Sequence, residues 1–228
     1  MPPFEIAGAT DIGLVRKKNE DNFIICNRSC SLAAVADGIG GHAHGEIASM
    51  LCCRGIAERF ISGDEFNSAE EAAESLQKWV GEVNSTIFER NKLERNPRPM
   101  GTTLCAAIFM DDVVISVNAG DSRLYKLENG TLRKLTRDHT VEQNGAHLLY
   151  RAVGITPKIK SDLQILPADA ERYILMSDGI YNSLDEERIA WLLENASSPG
   201  SAVETIISHA NQNGGVDNLT VIAAFRRS

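Results

Sequence analysis

Short apolar runs that end at turn residues recur along this chain and predict β-strands. Two pairs of runs are separated only by turn residues, and each pair predicts a β-hairpin. These pairs are 104–110 with 113–118 and 124–127 with 132–135. Further strands are predicted at 4–8, 23–26, 31–36, 163–166, 173–177 and 219–225. Residues 136–160 are polar, and we interpret them as irregular.

Apolar residues at helical spacing occur between the strands and predict helices in pairs. The first pair covers about 46–60 and 68–88, and the Ser68 to Glu71 opening of its second helix is typical of a capping box. The second pair covers about 185–196 and 201–212. Because blocks of strands alternate with paired helices, the fold class is predicted to be α+β, with antiparallel sheets covered by helices.

The composition is that of a folded globular protein and excludes several classes. The chain has 228 residues, which suits one large domain, and 43% of them are hydrophobic. Its net charge is −8 with scattered basic residues, which argues against nucleic acid as a ligand. No apolar run approaches a membrane span, and the first residues do not resemble a signal peptide. We therefore expect a cytoplasmic protein with no membrane span, whose five cysteines are reduced and lie in or near the core.

Aspartates stand where predicted strands begin or end, and this is the most informative pattern in the sequence. Asp37, Asp121 and Asp178 each follow an apolar run, whereas Asp217 precedes the last one. In antiparallel packing the start of one strand lies beside the ends of its neighbours. The four carboxylates are therefore predicted to gather at one rim of the fold.

Glu20 and Asp21, in an early polar loop, would enlarge this acidic cluster. Carboxylates that lie a few ångströms apart repel each other strongly unless cations lie between them. An all-oxygen site of this kind suits Mg²⁺ or Mn²⁺. His42 and His44 lie in a nearby glycine-rich loop, where they are either ligands or surface and capping residues.

Eight ordered motifs resemble the metal-dependent protein phosphatases, that is, the type-2C serine/threonine phosphatases, and especially their compact bacterial members. The motifs are RKKNED at 16–21, VADGIGGH at 35–42, GTT at 101–103, NAGDSR at 118–123, LTRDH at 135–139, RAVG at 151–154, LMSDG at 175–179 and DNLT at 217–220. They run in the order of the family over essentially the whole chain. The resemblance implies a four-layer αββα sandwich of two antiparallel β-sheets flanked by antiparallel helix pairs.

The resemblance also implies a metal site. Asp37 would bridge two Mn²⁺ or Mg²⁺ ions and the Gly38 carbonyl would bind one of them, while Asp178 and Asp217 would bind the other. Two more carboxylates, Glu20 and Asp21, match positions that hold metal-bound waters. A third, weaker ion is implied at Asp121.

The chemistry implied by these roles is direct attack on phosphorus by a water that the two ions activate. Arg16 matches the residue that binds the substrate phosphate, and a guanidinium can pair with two of its oxygens. The departing serine or threonine oxygen needs a proton, which either His42 or a metal-bound water would give. No cysteine lies in a matched motif.

One segment departs from the family pattern. Only ten residues, 141–150, separate Thr140 from Arg151, where family members commonly carry a longer flap beside the active site. We therefore expect a single catalytic domain, 1–228, with a shortened flap around 137–160. The short flap puts the grip on a protein substrate and the Asp121 site in question.

The leading hypothesis is a phosphatase that acts on phosphoserine and phosphothreonine of proteins and reverses a cytosolic serine/threonine kinase, the kinase being implied by the resemblance alone. We expect a monomer. One alternative is a catalytically silent scaffold that binds phosphoproteins, although the presence together of Asp37, Asp178, Asp217 and Arg16 weighs against it. Another alternative, which the short flap raises, is hydrolysis of a small phosphoester.

Overall fold

The computed structural model describes residues 1–39, 44–95, 98–143 and 146–227, and within them strands and helices follow the predicted order. The strands are β1 (Phe4–Asp11), β2 (Asp21–Asn27), β3 (Ser31–Asp37), β4 (Leu104–Phe109), β5 (Val113–Ala119), β6 (Arg123–Glu128), β7 (Thr131–Lys134), β8 (Thr140–Gln143), β9 (Ala146–Leu149), β10 (Asp162–Pro167), β11 (Arg172–Met176) and β12 (Leu219–Arg226). The helices are α1 (Gly45–Ser62), α2 (Ala69–Glu94), α3 (Asp178–Ser183), α4 (Glu186–Asn195) and α5 (Pro199–Gln212).

Two antiparallel sheets form the centre of the molecule. One has the strand order β1-β12-β11-β6-β7 and the other the order β10-β5-β4-β3-β2. Both predicted hairpins are present, as β4 with β5 and β6 with β7. Asn129 and Gly130 form the second turn with positive φ angles of 51° and 73°, the backbone conformation that a tight hairpin needs.

Three apolar layers hold the sheets and helices together. Side chains such as Phe4, Phe109 and Tyr173 fill the space between the two sheets, and their rings pack at centroid distances of 5.1 to 5.7 Å. A second layer joins α1 and α2 to the sheet that contains β3, and a third joins α4 and α5 to the sheet that contains β12. The predicted four-layer αββα sandwich is confirmed.

Local details differ from the sequence prediction in three places. The segment interpreted as irregular contains a small two-stranded ribbon, β8 with β9, whose four-residue strands are too short for their alternation to stand out. A short helix, α3, follows β11 and was not predicted. The Ser68 hydroxyl accepts from the Glu71 N–H as a capping box requires, but the Glu71 carboxylate accepts from the N–H of Asn67 instead of Ser68.

All five cysteines are free thiols, and four of them are buried, as predicted. Burial raises the pKa of the Cys52 thiol to about 12, so this group is inert near neutral pH. In the part of the chain that the structure describes, no helix combines the length and apolar character needed to cross a membrane.

Candidate metal centre

The backbone of Asp37 is fixed at the end of β3 by two threonines. Its N–H donates to the Thr103 hydroxyl at 2.9 Å, and its carbonyl accepts from the Thr102 hydroxyl at 2.8 Å and from the Thr103 N–H at 2.8 Å. These bonds satisfy the backbone of Asp37 where its strand leaves the sheet. The backbone that carries this carboxylate is therefore held in a defined place at the rim of the sandwich.

Gly38, the next residue, lies where no side chain fits. A Cβ atom there would approach the carbonyl oxygen of Gly45 to 2.4 Å and that of Glu20 to 2.7 Å. The Gly38 N–H donates to the Glu20 carbonyl at 3.0 Å, and the Ser49 hydroxyl donates to the same oxygen at 2.6 Å. The glycine thus lets the Glu20 loop, the end of β3 and the start of α1 come close together.

Asp178 and Asp217 come from the neighbouring sheet, as the antiparallel argument predicts. Asp178 is the first residue of α3, directly after β11 and Ser177, and Asp217 stands just before β12. The Ser177 N–H donates to the Thr220 carbonyl at 3.0 Å, which places the end of one strand beside the start of the other.

Arg16 contacts Asp217 directly. Its Nη2 donates to Oδ2 of Asp217 at 2.7 Å, while Oδ1 of Asp217 accepts from the Asn218 N–H at 2.8 Å. The Arg16 side chain is 46% exposed, so it keeps donors free for another anion.

Asp21 lies buried beneath the rim. It is the register partner of Asp37 across β2 and β3. Its Oδ2 accepts from the Ser177 hydroxyl at 2.7 Å, whereas its Oδ1 has no hydrogen-bond partner in the described structure. A buried carboxylate oxygen without a partner is costly and indicates a cation or an ordered water at this point.

Asp121 follows β5, and its loop is held from two sides. The Tyr181 hydroxyl donates to the Asp121 carbonyl at 3.1 Å, and the Arg123 guanidinium stacks on the Tyr181 ring at 3.5 Å. Asp138 accepts from Arg123 at 2.8 Å and so orients the guanidinium. These contacts fix the backbone at Asp121 and leave its carboxylate at the cavity.

A single cavity of about 1130 Å³ brings the predicted residues together. Its walls include Arg16, Glu20, Asp37, Gly38, Asp121, Asp178 and Asp217. Asp21 lies behind this wall, while His42 lies outside the described residues. The structure therefore places the strand-end aspartates at one rim of the fold, as the sequence predicts.

Burial and mutual repulsion make the carboxylates hard to ionise. Complete burial, followed by the charges of Asp21 and Asp178, raises the pKa of Asp37 well above its usual value. Burial raises the pKa of Asp21 and of Asp121 to about 6. Burial and the charge of Asp217 also raise the pKa of Asp178, and a hydrogen bond between the Asp37 and Asp178 carboxyl groups partly offsets this rise. The cluster therefore needs positive charge in order to be fully ionised at neutral pH.

The donor set fits hard divalent cations. Every group on the acidic wall binds through oxygen, and one buried oxygen of Asp21 lacks a partner. Within the described residues, no three carboxylate, imidazole or thiolate groups already converge at metal-ligand spacing. Mg²⁺ and Mn²⁺ commonly keep several waters and take few protein ligands, so a loosely preformed oxygen site suits them.

Three residues that support the site carried no role in the sequence analysis. Asn218 accepts from the Glu20 N–H at 2.8 Å and donates to the Ile12 and Lys18 carbonyls at 3.0 and 2.9 Å. Ser177 holds Asp21, and Thr103 holds Asp37. Each supporting residue lies beside a strand-end aspartate or in a matched motif, and that position is the signal that would have found it.

A family model for protein phosphatase 2C matches residues 16–217. The chain belongs to the protein phosphatase 2C family. The matched range begins at Arg16 and ends at Asp217, the two residues that contact each other across the cavity rim. The family resemblance and the enzyme class of phosphatase predicted from the ordered motifs are therefore confirmed. Dependence on manganese or magnesium is a general property of the protein phosphatase 2C family.

Known relatives match over almost the full length of the chain. The serine/threonine phosphatase stp of Listeria monocytogenes is 33% identical over an alignment of 236 positions. The alignment covers 95% of this chain and 94% of that protein. The solved structure of the Mycobacterium tuberculosis serine/threonine phosphatase PstP/Ppp superposes with a TM-score of 0.87 at 31% identity and covers 99% of both chains. PppA of Pseudomonas aeruginosa superposes with a TM-score of 0.88 at 27% identity and covers 98% of both chains.

Proposed function

We propose that the chain hydrolyses phosphoserine and phosphothreonine of proteins by attack of water, with Mn²⁺ or Mg²⁺ as cofactor. The observation that carries this proposal is one cavity that joins an exposed arginine to a wall of carboxylates. Two divalent cations, when bound there, would lower the pKa of water and screen the phosphate from the acidic wall.

The chain's own residues divide into those that hold cations and those that hold substrate. Asp37, the Gly38 carbonyl, Asp178 and Asp217 would hold two cations, which would supply an activated water. Asp21, whose Oδ1 lacks a partner, would act through water. Glu20 would do the same, and burial raises its pKa, so it too gains from a nearby cation. Asp121 would hold a third, weaker cation.

Arg16 would bind the phosphate of the substrate. Its guanidinium is anchored through one nitrogen to Asp217 and is about half exposed, so its other N–H groups point to a bidentate grip on phosphate oxygens. That grip would fix the phosphorus for in-line attack. The proton for the leaving hydroxyl would come from His42 or from a water. No covalent intermediate is required, and in the described residues no cysteine lines the cavity.

The finer assignments follow from the same site. The chain would act as one catalytic domain with a short flap around 137–160, within which Leu148 and Leu149 of β9 and residues of the following segment line the cavity. Its substrates would be products of a serine/threonine kinase, encountered in the cytoplasm, and the protein would act as a monomer.

The test is phosphate release from a phosphothreonine peptide and from para-nitrophenyl phosphate by chelator-stripped protein, with Mn²⁺, with Mg²⁺ and without metal. We expect metal-dependent turnover of both substrates. Turnover of the small ester alone would favour a small-phosphoester hydrolase. Absence of turnover with either metal, in protein that still binds the phosphopeptide, would establish a silent scaffold.

A further inference from the structure

One further segment of the cavity lining differs from the carboxylates in charge and in polarity. It is the segment from Ile155 to Lys160, which contributes two exposed lysines, Lys158 and Lys160, and two half-buried isoleucines, Ile155 and Ile159. The cavity lining therefore includes both carboxylates, which would take cations, and the ammonium groups of two lysines.

Lys158 and Lys160 have no carboxylate partner within residues 1–39, 44–95, 98–143 and 146–227, and both line the cavity. Another basic residue of the lining, Arg151, donates to Asp162 at 2.7 Å and is already engaged. The two lysines thus keep their full charge available to a group that enters the cavity.

The segment that carries the lysines is anchored to helix α2 by two buried asparagines. Asn84 accepts from the Gly154 N–H at 2.8 Å and donates to the Thr156 carbonyl at 3.0 Å. Asn91 donates to the Gly154 carbonyl at 3.0 Å. Because the asparagines are seven residues apart, they lie on the same face of α2. The backbone that leads into Lys158 is thereby fixed against α2.

We propose that Lys158 and Lys160 form a basic subsite that selects phosphopeptides with a second anionic group near the phosphorylated residue. This inference rests on the proposed function. That group is either a carboxylate side chain or a second phosphate, since both offer oxygen acceptors to an ammonium group.

Size and charge both support an extended acidic peptide as the ligand. The cavity volume of about 1130 Å³ exceeds what a phosphorylated side chain alone fills. An extended peptide advances about 3.3 Å per residue, so a cavity of this size also receives residues that flank the phosphorylated one. The chain carries a net charge of −8, which opposes an acidic substrate unless a local basic surface receives it.

The experiment compares kcat/KM for phosphothreonine peptides of equal length in the presence of Mn²⁺. Four peptides are used: one with glutamates on both sides, one with a second phosphoserine, one neutral and one with lysines on both sides. We expect the wild-type protein to prefer the acidic peptides over the neutral one by about fivefold, the scale of two exposed ion pairs. The preference should weaken as salt is raised.

Two variants at the lysines decide the assignment. The Lys158→Gln, Lys160→Gln protein should prefer the acidic peptides no more than the neutral one, and the Lys158→Glu, Lys160→Glu protein should prefer the basic peptide. The matched control is Lys78→Gln, Lys92→Gln on α2, which removes the same charge from exposed lysines away from the cavity and should keep the wild-type preference. Rates are expressed relative to each variant's turnover of para-nitrophenyl phosphate, so that a change at the metal centre is separated from a change in selection.

An equal loss of preference in the α2 control would overturn the proposal, because it would show that net charge alone sets the selection. An absence of any preference in wild-type protein that turns over the neutral peptide would overturn it while leaving the proposed function intact. If the wild-type protein turned over no substrate, the proposed function would fail, and binding would decide the subsite. In that case, fluorescence anisotropy with the labelled glutamate peptide should still show weaker binding by the Lys158→Glu, Lys160→Glu protein.

Discussion

Nη2 of Arg16 lies 2.7 Å from Oδ2 of Asp217, although the two residues are 201 positions apart in the chain. The contact joins the residue proposed to grip phosphate to a residue proposed to hold a cation. A cation at Asp217 would compete with the guanidinium for the same carboxylate, so metal binding and phosphate binding are coupled through this pair. Cation binding would weaken the hold of Asp217 on Arg16 and release donors for the substrate.

Arg16→Ala should raise KM about tenfold with a smaller change in kcat, because it removes a charge-assisted grip on the phosphate. The same variant should bind Mn²⁺ more tightly than the wild-type protein, since a positive charge leaves the site. Steady-state kinetics and isothermal titration with Mn²⁺ measure the two effects. Lys17→Ala, which removes an exposed neighbouring charge, is the control, and an unchanged KM in Arg16→Ala would contradict the role given to Arg16.

Asp37→Asn and Asp178→Asn should each abolish turnover, because each removes a charged cation ligand and keeps the shape of the side chain. In metal-stripped protein, Asp37→Asn should also raise the melting temperature, since the carboxylate it replaces is buried among other carboxylates. Phosphate release and thermal melts with and without Mn²⁺ measure both effects. Rates near those of the wild-type protein in either variant would refute the metal assignment.

The stability of the metal-stripped protein should depend on the ionisation of Asp121. Burial raises the pKa of Asp121 from 3.8 to about 6, so the folded state holds its proton more tightly than the unfolded chain does. The stabilisation from this proton is complete below pH 4 and is lost as the pH rises to 6 and above. Asp121→Asn should therefore be more stable than wild type by about 3 kcal/mol at pH 7, with the difference vanishing near pH 4.

Urea unfolding of both proteins from pH 4 to pH 7.5, without metal, measures this difference. Saturating Mn²⁺ at pH 7 should reverse the order, because a cation stabilises the ionised cluster of the wild-type protein. A difference that does not vary with pH would show that Asp121 does not titrate in this range.

The layered fold and the acidic rim were predictable because both depend on patterns that are local in sequence. Alternating strand blocks and helix pairs determine the layers. An aspartate at the end of a strand lies at the rim of the sheet, whichever strand it pairs with. The supporting contacts were not predictable, because they join distant segments. Asn218 reaches the carbonyl of Lys18, and the Tyr181 hydroxyl reaches that of Asp121, only after the two sheets have packed. The ribbon of β8 and β9 was missed since four residues carry too little periodicity.

Gly154 is the position in the loop before the two lysines where a side chain should be least tolerated. Its φ angle is +90°, and a Cβ atom there would lie 2.2 Å from Cγ2 of the buried Ile87. Gly154→Ala should therefore lower the free energy of unfolding by about 3 kcal/mol through strain and overpacking.

Gly81→Ala is the matched control, because Gly81 lies within α2 and its Cβ would meet no atom within 4 Å. There the same substitution should stabilise the protein by about 0.5 to 1 kcal/mol, as alanine favours a helix over glycine. Urea unfolding of the wild-type protein and the two variants measures these changes in the free energy of unfolding. Equal changes at both positions would contradict the prediction, because they would mean that the loop tolerates a side chain. The loop would then be held to α2 less firmly than the hydrogen bonds of Asn84 and Asn91 imply.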